Sequence, residues 1–297
     1  MQNEQPKIDF FRVREPGEKI TATIDFLREN RRWWLRCCVL PLVPLSAVLG
    51  WLQVPQSTVN TIYHFFWDHF DMGELLFGFT FKNRGLFSAD MLVTALALLM
   101  LFTSTGALMS LYQYREGRLR GLTWTELRGA LRRSLPAAAI ITLVAYFLFY
   151  FFCSANPLLQ LLLLAVFIPF ALYAPTSQVG YYPPLRAAGH SLDLGFNTWG
   201  GIFMVSAGLA LILFFLRGAS ETLMELLDAY LSDLFFSGNI SLEINNIIYC
   251  VAAALKSFVS LACLSVMMIG AGYQYGHAEE KYSSVSLYED VRHFDEI

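Results

Sequence analysis

The chain alternates between short amphipathic stretches and long apolar ones. Three times, a stretch with apolar residues at the i, i+3/i+4, i+7 spacing of one helix face is followed by a pair of apolar segments. These amphipathic stretches are Gly17–Trp34, Thr123–Leu135 and Pro184–Gly200; a fourth, Ser286–Phe294, has no such pair after it. The pattern predicts an all-α polytopic membrane protein built from repeated units.

Six apolar segments have the length of about 20 residues that a membrane-spanning helix requires. They are Trp33–Leu52, Met91–Leu111, Leu135–Phe152, Leu158–Ala174, Trp199–Leu216 and Ile247–Ile269. Asn156-Pro157 is a turn signal between the third and the fourth. The first contains Pro41 and Pro44 and the fourth contains Pro169, so we expect kinks there. Paired in chain order, the six segments give three hairpins.

Lysine and arginine predict the orientation, because cytoplasmic loops of membrane proteins carry an excess of both. Most of them lie before the first span, after the second and after the fourth, whereas Lys82, Arg84 and Arg217 are alone on the other side. Both termini are therefore expected on the cytoplasmic side of the membrane. Each amphipathic helix would lie in the cytoplasmic interface, with its cations near anionic lipid headgroups.

Because every unit starts on the same side, the repeats are parallel and related by an axis along the membrane normal. We expect a flexible cytoplasmic N-terminus over residues 1–16 and one six-span domain over 17–275. Its units would cover about 17–114, 121–182 and 183–275. Residues 276–297 would form a cytoplasmic tail with a short amphipathic helix. Capping boxes are predicted at Thr123/Glu126 and Ser286/Glu289, and Pro184 suits a first helical turn.

Composition agrees with this class and excludes others. Charged residues make up 15% of the chain, against about 25% in soluble domains. A net charge of −3 and the absence of a basic motif argue against nucleic acid as a partner. None of the five cysteines forms a CxxC pair, so no metal or redox cofactor is expected. Cys153 and Cys250 would either pair in an oxidising periplasm or stay free thiols.

Lys256 is the most informative single residue, because it lies inside the sixth predicted span and charge within a membrane is costly. It would snorkel or line a wet groove, or it would contact an anionic lipid or substrate. Its candidate partners include the hydroxyl patch Thr103, Ser104 and Thr105 of the second span. The segment His64–Phe70 has metal-like spacing, but its aromatic density favours an interfacial helix.

The cytoplasmic stretches carry a second candidate surface, made of arginines that would contact headgroups or dock a partner. These are Arg28, Arg31, Arg32, Arg36, Arg115, Arg118, Arg120, Arg128, Arg132 and Arg133. Small residues at Gly200-Gly201, Gly270-Ala271-Gly272 and Gly276 predict close helix packing. The stretch Ser220–Phe236 is expected to form an acidic amphipathic helix on the outer surface.

The third unit resembles a known group. LRAAGHSLDLGFNTWGGIF, with its Asn197-Thr198-Trp199-Gly200 approach to the bilayer, is similar to the helix that precedes a span in poorly characterised bacterial membrane proteins. That group is similar to the membrane domain of some glycerophosphodiester phosphodiesterases. The resemblance covers about Pro183–Tyr275 and implies a six-helix membrane domain. It does not imply phosphodiesterase activity, because the catalytic domain is absent.

Catalytic motifs are missing from the sequence: it has no P-loop, HExxH, GxSxG or paired intramembrane carboxylates. His190, Ser191 and Asp193 share one short helix, which is not a triad geometry. We therefore expect a non-enzymatic protein that acts as a subunit, assembly factor or organiser and binds proteins or lipids. The alternative is a small transporter component with an anionic substrate or lipid near Lys256.

Overall fold

The computed structural model describes residues 8–52, 88–115, 119–154, 168–236 and 242–284, and the regular secondary structure within these ranges is helical. The helices are α1 (Pro16–Trp34), α2 (Leu42–Leu52), α3 (Ala89–Tyr114), α4 (Trp124–Ser154), α5 (Tyr173–Gln178), α6 (Pro184–Asn197), α7 (Trp199–Phe236) and α8 (Leu242–Ser283). A π-helical turn, Leu35–Val39, follows α1. The all-α prediction is confirmed for this part of the chain.

Four of the described helices contain a stretch long and apolar enough to cross a membrane, and α1 with α2 makes a fifth if the bent pair is one span. The bend between α1 and α2 is 43°. It lies where the Leu40 N–H bonds to Leu35 O, an i→i−5 bond, and where Pro41 has no N–H to continue the ladder. The kink predicted in the first span is confirmed. Most of the fourth predicted span lies outside the described residues.

Two of the three described amphipathic stretches continue directly into the apolar segments after them. The second stretch and the third predicted span form the single helix α4, with Pro136 inside it. The first is joined to α2 through the π-turn, and the third is set off from α7 by Thr198 alone. The stretch Ser220–Phe236, predicted as a separate helix, is the continuation of α7. Ser286–Phe294 lies outside the described residues.

Helix packing brings neighbours in the chain together. The α3 and α4 helices pack along each other, although they come from successive predicted units, and so do α7 and α8. The α1 helix packs against both α7 and α8. The exposed side chains of the long helices are largely apolar, as on Phe203, Leu211, Phe215 and Val251. Such a surface is suited to lipid and unsuited to water.

The predicted role of small residues is confirmed on α8. A Cβ at Gly270 would lie 2.2 Å from Leu209 of α7, and one at Gly272 would lie 1.9 Å from the methyl of Met109 of α3. A Cβ at Gly276 would lie 2.3 Å from the carbonyl oxygen of Phe10. Three elements therefore contact α8 at its glycines, and the contact with backbone at Gly276 leaves no room for a side chain, whereas the ends of Leu209 and Met109 could shift. At Gly200 a Cβ would meet nothing within 4 Å, so the predicted close packing is not found there.

Residues 8–15 belong to the packed structure. The Phe10 ring is 2% exposed and lies against Tyr273 and Tyr275 of α8, with centroid distances of 5.5 and 6.4 Å. The Ile8 N–H donates to the Tyr112 hydroxyl of α3 at 3.2 Å. The predicted boundaries at residues 16 and 276 stay a prediction, but segments on either side of them are in contact.

The α1 helix buries polar side chains together with apolar ones. Its buried side chains are Lys19, Ala22, Thr23, Phe26 and Asn30. The polar members are satisfied locally: Thr23 donates to Lys19 O and Asn30 to Phe26 O. The apolar residues of the predicted amphipathic pattern divide: Leu27 and Trp34 pack against the core, whereas Ile24 is 49% exposed.

Candidate functional site

The face of α1 that points inward meets the last turns of α8 in a polar cluster. We call this cluster the polar junction and define it as Arg14, Lys19, Tyr273, Gln274 and His277. Lys19 comes from α1, Arg14 from the segment before it, and the other three from α8. Gln274 and His277 are three residues apart and so share one face of α8. The junction lies at the end of the bundle where α1 begins and α8 ends.

Arg14 ties the N-terminal segment to α8. Its guanidinium donates to the carbonyl oxygens of Phe10 and Asp9 and lies 5.6 Å from the centre of the Tyr273 ring. Burial lowers the pKa of Arg14 from its ordinary value, yet an arginine stays protonated in proteins. The Arg14 backbone N–H donates to Nδ1 of His277 at 3.0 Å. A neutral His277 accepting at Nδ1 carries its proton on Nε2 and is therefore a donor there.

Lys19 is a buried cation paired with an amide. Its residue is 1% exposed, and Nζ donates to Oε1 of Gln274 at 2.7 Å. Among the described residues it has no carboxylate partner. Gln274 is fully buried, and its Nε2 has no hydrogen-bond partner in the described part of the chain. Buried charges are normally paired and buried amides normally bonded, so both groups are incompletely satisfied.

The Gln274 amide points at the first turn of α7. A Cβ at Gly201 would lie 3.1 Å from Gln274 Nε2, so a side chain at position 201 would crowd the amide. Thr198, which precedes α7, turns its hydroxyl back to Leu194 O and not to the α7 amides. The carbonyl of Asn197 accepts from Tyr282. The N–H groups at the start of α7 therefore have no side-chain cap from Thr198.

Together these elements present donors and positive charge around one point. The Lys19 ammonium, the Gln274 NH₂ and the first amides of α7 are all donors. Lys281, one turn beyond His277, and Arg14 lie close enough for their charges to act on His277. The buried carboxylate of Glu279 lies five residues from Gln274, on another face of α8, and Asp9 and Glu18, whose charges act on Arg14, are exposed. This arrangement matches the chemistry of an oxyanion, which accepts from every one of these groups.

Glu279 forms a second cluster with α6. It is 4% exposed, and its carboxylate lies 2.8 Å from Nε2 of His190. It also accepts hydrogen bonds from Tyr182 and Ser283, at 3.4 and 3.3 Å. Burial and the neighbouring Glu279 carboxylate raise the pKa of Tyr182, so its hydroxyl stays protonated. This cluster fixes α6 to α8 and satisfies the carboxylate completely.

The candidate residues inside the spans are not gathered around a polar path in the described part of the chain. Thr103 and Ser104 are buried in α3 and donate to Leu99 O and Met100 O of their own helix. Thr105 lies 3.8 Å from the Cys38 sulfur, measured from its hydroxyl oxygen. Lys256 is half-buried in α8. Whether Lys256 contacts a lipid or substrate stays a prediction.

The predicted arginine surface divides into engaged and open residues. Arg115 is engaged, because it donates to the carbonyls of Arg120 and Gly121 and pairs with Glu126 at 3.6 Å. Glu126 in turn bonds the Thr123 N–H at 2.9 Å, which confirms the predicted capping box. Arg36 lies 5.9 Å from the Trp33 ring centre. Arg118 lies outside the described residues, and Arg120 is exposed.

Six arginines are open: Arg28, Arg31 and Arg32 on α1, and Arg128, Arg132 and Arg133 on α4. Each is exposed, and none has a hydrogen bond or ion pair within the ranges that the structure describes. An intramolecular carboxylate would partly neutralise such a surface. Its absence here leaves the full charge available to something outside the chain.

Sequence reasoning missed the polar junction and the Glu279 cluster. Lys19 looks like a solvated position on an amphipathic helix, and Gln274 and Glu279 fall at the edge of a segment assigned to a tail. A usable signal was present: Gln274, His277 and Lys281 follow an apolar helix at i, i+3, i+7 spacing. That spacing indicates a polar helix face that continues past the membrane.

No group of three or more histidine, cysteine, aspartate or glutamate residues that could hold a metal occurs in the described ranges. The segment His64–Phe70 lies outside them. Cys250 is a free thiol, and the side chain of Cys153 is outside the described residues. Compared with known proteins, the chain matches no family model, no curated protein and no solved structure. The resemblance of Pro183–Tyr275 to the phosphodiesterase membrane domains therefore stays a prediction.

Proposed function

We propose that this chain is a non-enzymatic, six-span protein of the bacterial inner membrane whose cytoplasmic end binds anionic lipids and organises them beside protein partners. The observation that carries the proposal is the set of six open arginines on α1 and α4. They lie in the amphipathic stretches, where cations meet headgroups. A surface of this kind binds and organises; it has no group placed to perform a covalent step.

The six-span topology is supported by where the described segments end. The Arg14 N–H and His277 Nδ1 are 3.0 Å apart, so the chain segments before α1 and at the end of α8 share one end of the bundle. Tyr114 at the end of α3 donates to Val179 O at 2.8 Å, which brings residue 179 to that end as well. The chain leaves this end in α4, of 31 residues, and has returned to it by Val179. The predicted fourth span, most of which lies outside the described residues, would account for that return.

The orientation is supported by charge. The open arginines belong to the end of the bundle that holds the polar junction, and cytoplasmic surfaces carry the arginine excess. The three amphipathic elements α1, α6 and the start of α4 would then form a cytoplasmic collar. Exposed apolar side chains on the collar, among them Trp124, Leu185 and Phe196, suit the acyl boundary below the headgroups.

Transport is the less supported reading. A path would need polar groups open to a shared cavity, whereas Thr103 and Ser104 are occupied by their own helix backbone. The small pocket beside them, lined in part by Phe102, Met109 and Met268, is largely apolar. We therefore assign lipid binding to the collar, and we assign a packing role to the hydroxyl patch of Thr103, Ser104 and Thr105.

The test replaces Arg128, Arg132 and Arg133 with glutamine in the full chain. Each basic residue near an anionic surface contributes about 1 kcal/mol, so the triple variant should lose most of the anionic lipid that the α4 collar retains. The measurement is the ratio of phosphatidylglycerol to phosphatidylethanolamine that co-purifies in mild detergent, compared with the membrane of origin.

The matched control replaces the same three arginines with lysine. Charge is kept, so lipid enrichment should stay near the wild-type value, whereas a partner that uses the planar guanidinium should be lost from cross-linked pull-downs. Equal lipid ratios for wild type and the glutamine variant, together with an unchanged set of cross-linked partners, would remove the support for this function.

A further inference from the structure

The polar junction contains more donors than the protein itself satisfies. Gln274 is fully buried with an unpartnered Nε2, and Lys19, 1% exposed, is bonded within the described residues only to the other end of the same amide. A buried cation and a buried donor at one site, with no carboxylate to meet them, are costly unless a ligand completes the arrangement. The missing group must accept hydrogen bonds, and the buried Lys19 ammonium favours one that carries negative charge.

The first turn of α7 supplies the other half of the site. The Gln274 NH₂ group lies beside Gly201, and the first backbone bond across the start of α7 joins the Ile202 N–H to Thr198 O. The amides ahead of Ile202 carry the partial positive charge of a helix N-terminus. Gly200 and Gly201 have no Cβ, so nothing of their own covers these amides. A Cβ at Gly200 would meet nothing within 4 Å, so a ligand can approach the backbone there, whereas the space beside Gly201 is filled by the Gln274 amide.

We propose that the first turn of α7, Gln274 Nε2 and Lys19 Nζ form a binding site for a phosphate-type oxyanion. The phosphodiester of an anionic phospholipid headgroup and free phosphate share this chemistry. The level of the site favours the headgroup: Trp199, 38% exposed, stacks on Phe203 at 5.5 Å at the start of a membrane-length helix. Tryptophan at such a position belongs to the interfacial belt where phosphates lie.

The inference rests on the proposed function at the membrane surface. It adds one defined binding site to the surface of open arginines. His277 contributes from the rim. Its Nδ1 accepts from Arg14, which leaves Nε2 as a donor, and Lys281 adds charge one turn further along. Glu279 does not compete for these donors, because His190, Tyr182 and Ser283 occupy it.

Gln274→Glu is the sharpest test, because the new carboxylate would imitate the ligand. It would accept from Lys19 and face the α7 amides, so the apparent melting temperature in phosphatidylcholine nanodiscs should rise above wild type. The site would then already hold an anion. Lys19→Met, which removes the cation and keeps the stem, should weaken anion binding about tenfold or more. Gly189→Glu, an exposed change of the same charge on α6 at a position where a Cβ meets nothing within 4 Å, is the matched control.

The probes are phosphatidylglycerol in the nanodisc and, in a separate arm, inorganic phosphate in phosphatidylcholine nanodiscs. With phosphatidylglycerol, wild type and Gly189→Glu should gain about 5 °C at saturation. Gln274→Glu should lose most of this gain, because only the open arginines are left to bind the lipid. A gain with inorganic phosphate alone would support the site and assign it to free phosphate. If neither anion stabilises the wild type, or if Gln274→Glu keeps the gain, the site is wrong.

These outcomes are separable from failure of the proposed function. If the arginine variants lose lipid enrichment but Gln274→Glu keeps the whole gain in melting temperature, the collar is supported and the binding site is wrong. If Gln274→Glu abolishes the gain in melting temperature while the arginine variants leave the lipid ratio unchanged, the binding site is supported and the collar is wrong.

Discussion

At the residue scale, the described part of this chain separates buried polar groups that are satisfied from those that are not. Glu279 is completely bonded, by His190, Tyr182 and Ser283, whereas Lys19 and Gln274 share one bond between them. Satisfied networks fix a unique packing, and unsatisfied ones indicate a missing ligand or water. Gln274 and Glu279 lie on different faces of α8, only five residues apart. The cluster around Glu279 is structural, whereas the cluster around Gln274 lacks a hydrogen-bond acceptor.

Glu279 gives a prediction at this scale. Replacing it with alanine leaves the hydroxyl of Tyr182 and the ring nitrogen of His190 unpaired, so we expect the free energy of unfolding to fall by about 2–4 kcal/mol. Glutamine keeps an acceptor of the same length and should cost less. Chemical denaturation in mixed micelles, followed by tryptophan fluorescence, measures both. Equal losses for alanine and glutamine would mean that the hydrogen bonds contribute nothing.

At the element scale, the N-terminal segment of residues 8–15 packs tightly against α8. Phe10 packs on Tyr273 and Tyr275, and its carbonyl faces Gly276 so closely that no side chain fits between them. The segment also carries Arg14, whose backbone N–H fixes His277. Residues 8–15 thus help to shape the polar junction, although they precede the first helix.

Gly276→Ala should release this segment. The added Cβ would lie 2.3 Å from Phe10 O, which is backbone and cannot rotate away. Overpacking of this kind costs about 1–3 kcal/mol, so the segment should open more often and trypsin should cleave after Arg12 and Arg14 faster. Gly189→Ala is the matched control, because a Cβ there meets nothing within 4 Å. Unchanged cleavage of Gly276→Ala would show that the segment does not depend on this contact.

At the scale of the whole molecule, both described ends of the chain lie at one end of the bundle. The bond from Arg14 to His277 and the bond from Ile8 to Tyr112 bring residues 8–14 to the ends of α8 and α3. Among the described residues, α3, α4, α7 and α8 account for four spans, and α1 with α2 adds a fifth if the bent pair is one span. The even count of six, with Leu158–Ala174 as the fourth span, stays a prediction.

This topology predicts the signals of reporter fusions. Green fluorescent protein at either terminus should fluoresce, and alkaline phosphatase there should be inactive, because the distribution of lysine and arginine predicts both ends in the cytoplasm. Alkaline phosphatase inserted after Ala155, in the loop predicted to face outward, should be active. Active phosphatase at the C-terminus alone would indicate an odd number of crossings.

The sequence by itself predicted the features that depend on local pattern. Apolar length gave the described spans, Trp199–Leu216 with the same bounds and Met91–Leu111 within α3, because burial in lipid is decided segment by segment. The bend near Pro41, the Thr123/Glu126 capping box and the glycine contacts of α8 also follow from residue type and short-range spacing. Each rests on an interaction that the local chain already contains.

Only the tertiary structure decided which polar residues meet. Lys19 and Gln274 are separated by 255 positions, and Arg14 and His277 by 263, so no periodicity relates them. The sequence also could not decide which residues of α1 are buried, because Lys19, Thr23 and Asn30 lie inward together with Ala22 and Phe26, while apolar Ile24 stays exposed. In water the hydrophobic effect would have decided that choice, whereas at a membrane surface helix packing decides it. The candidate site exists for this reason.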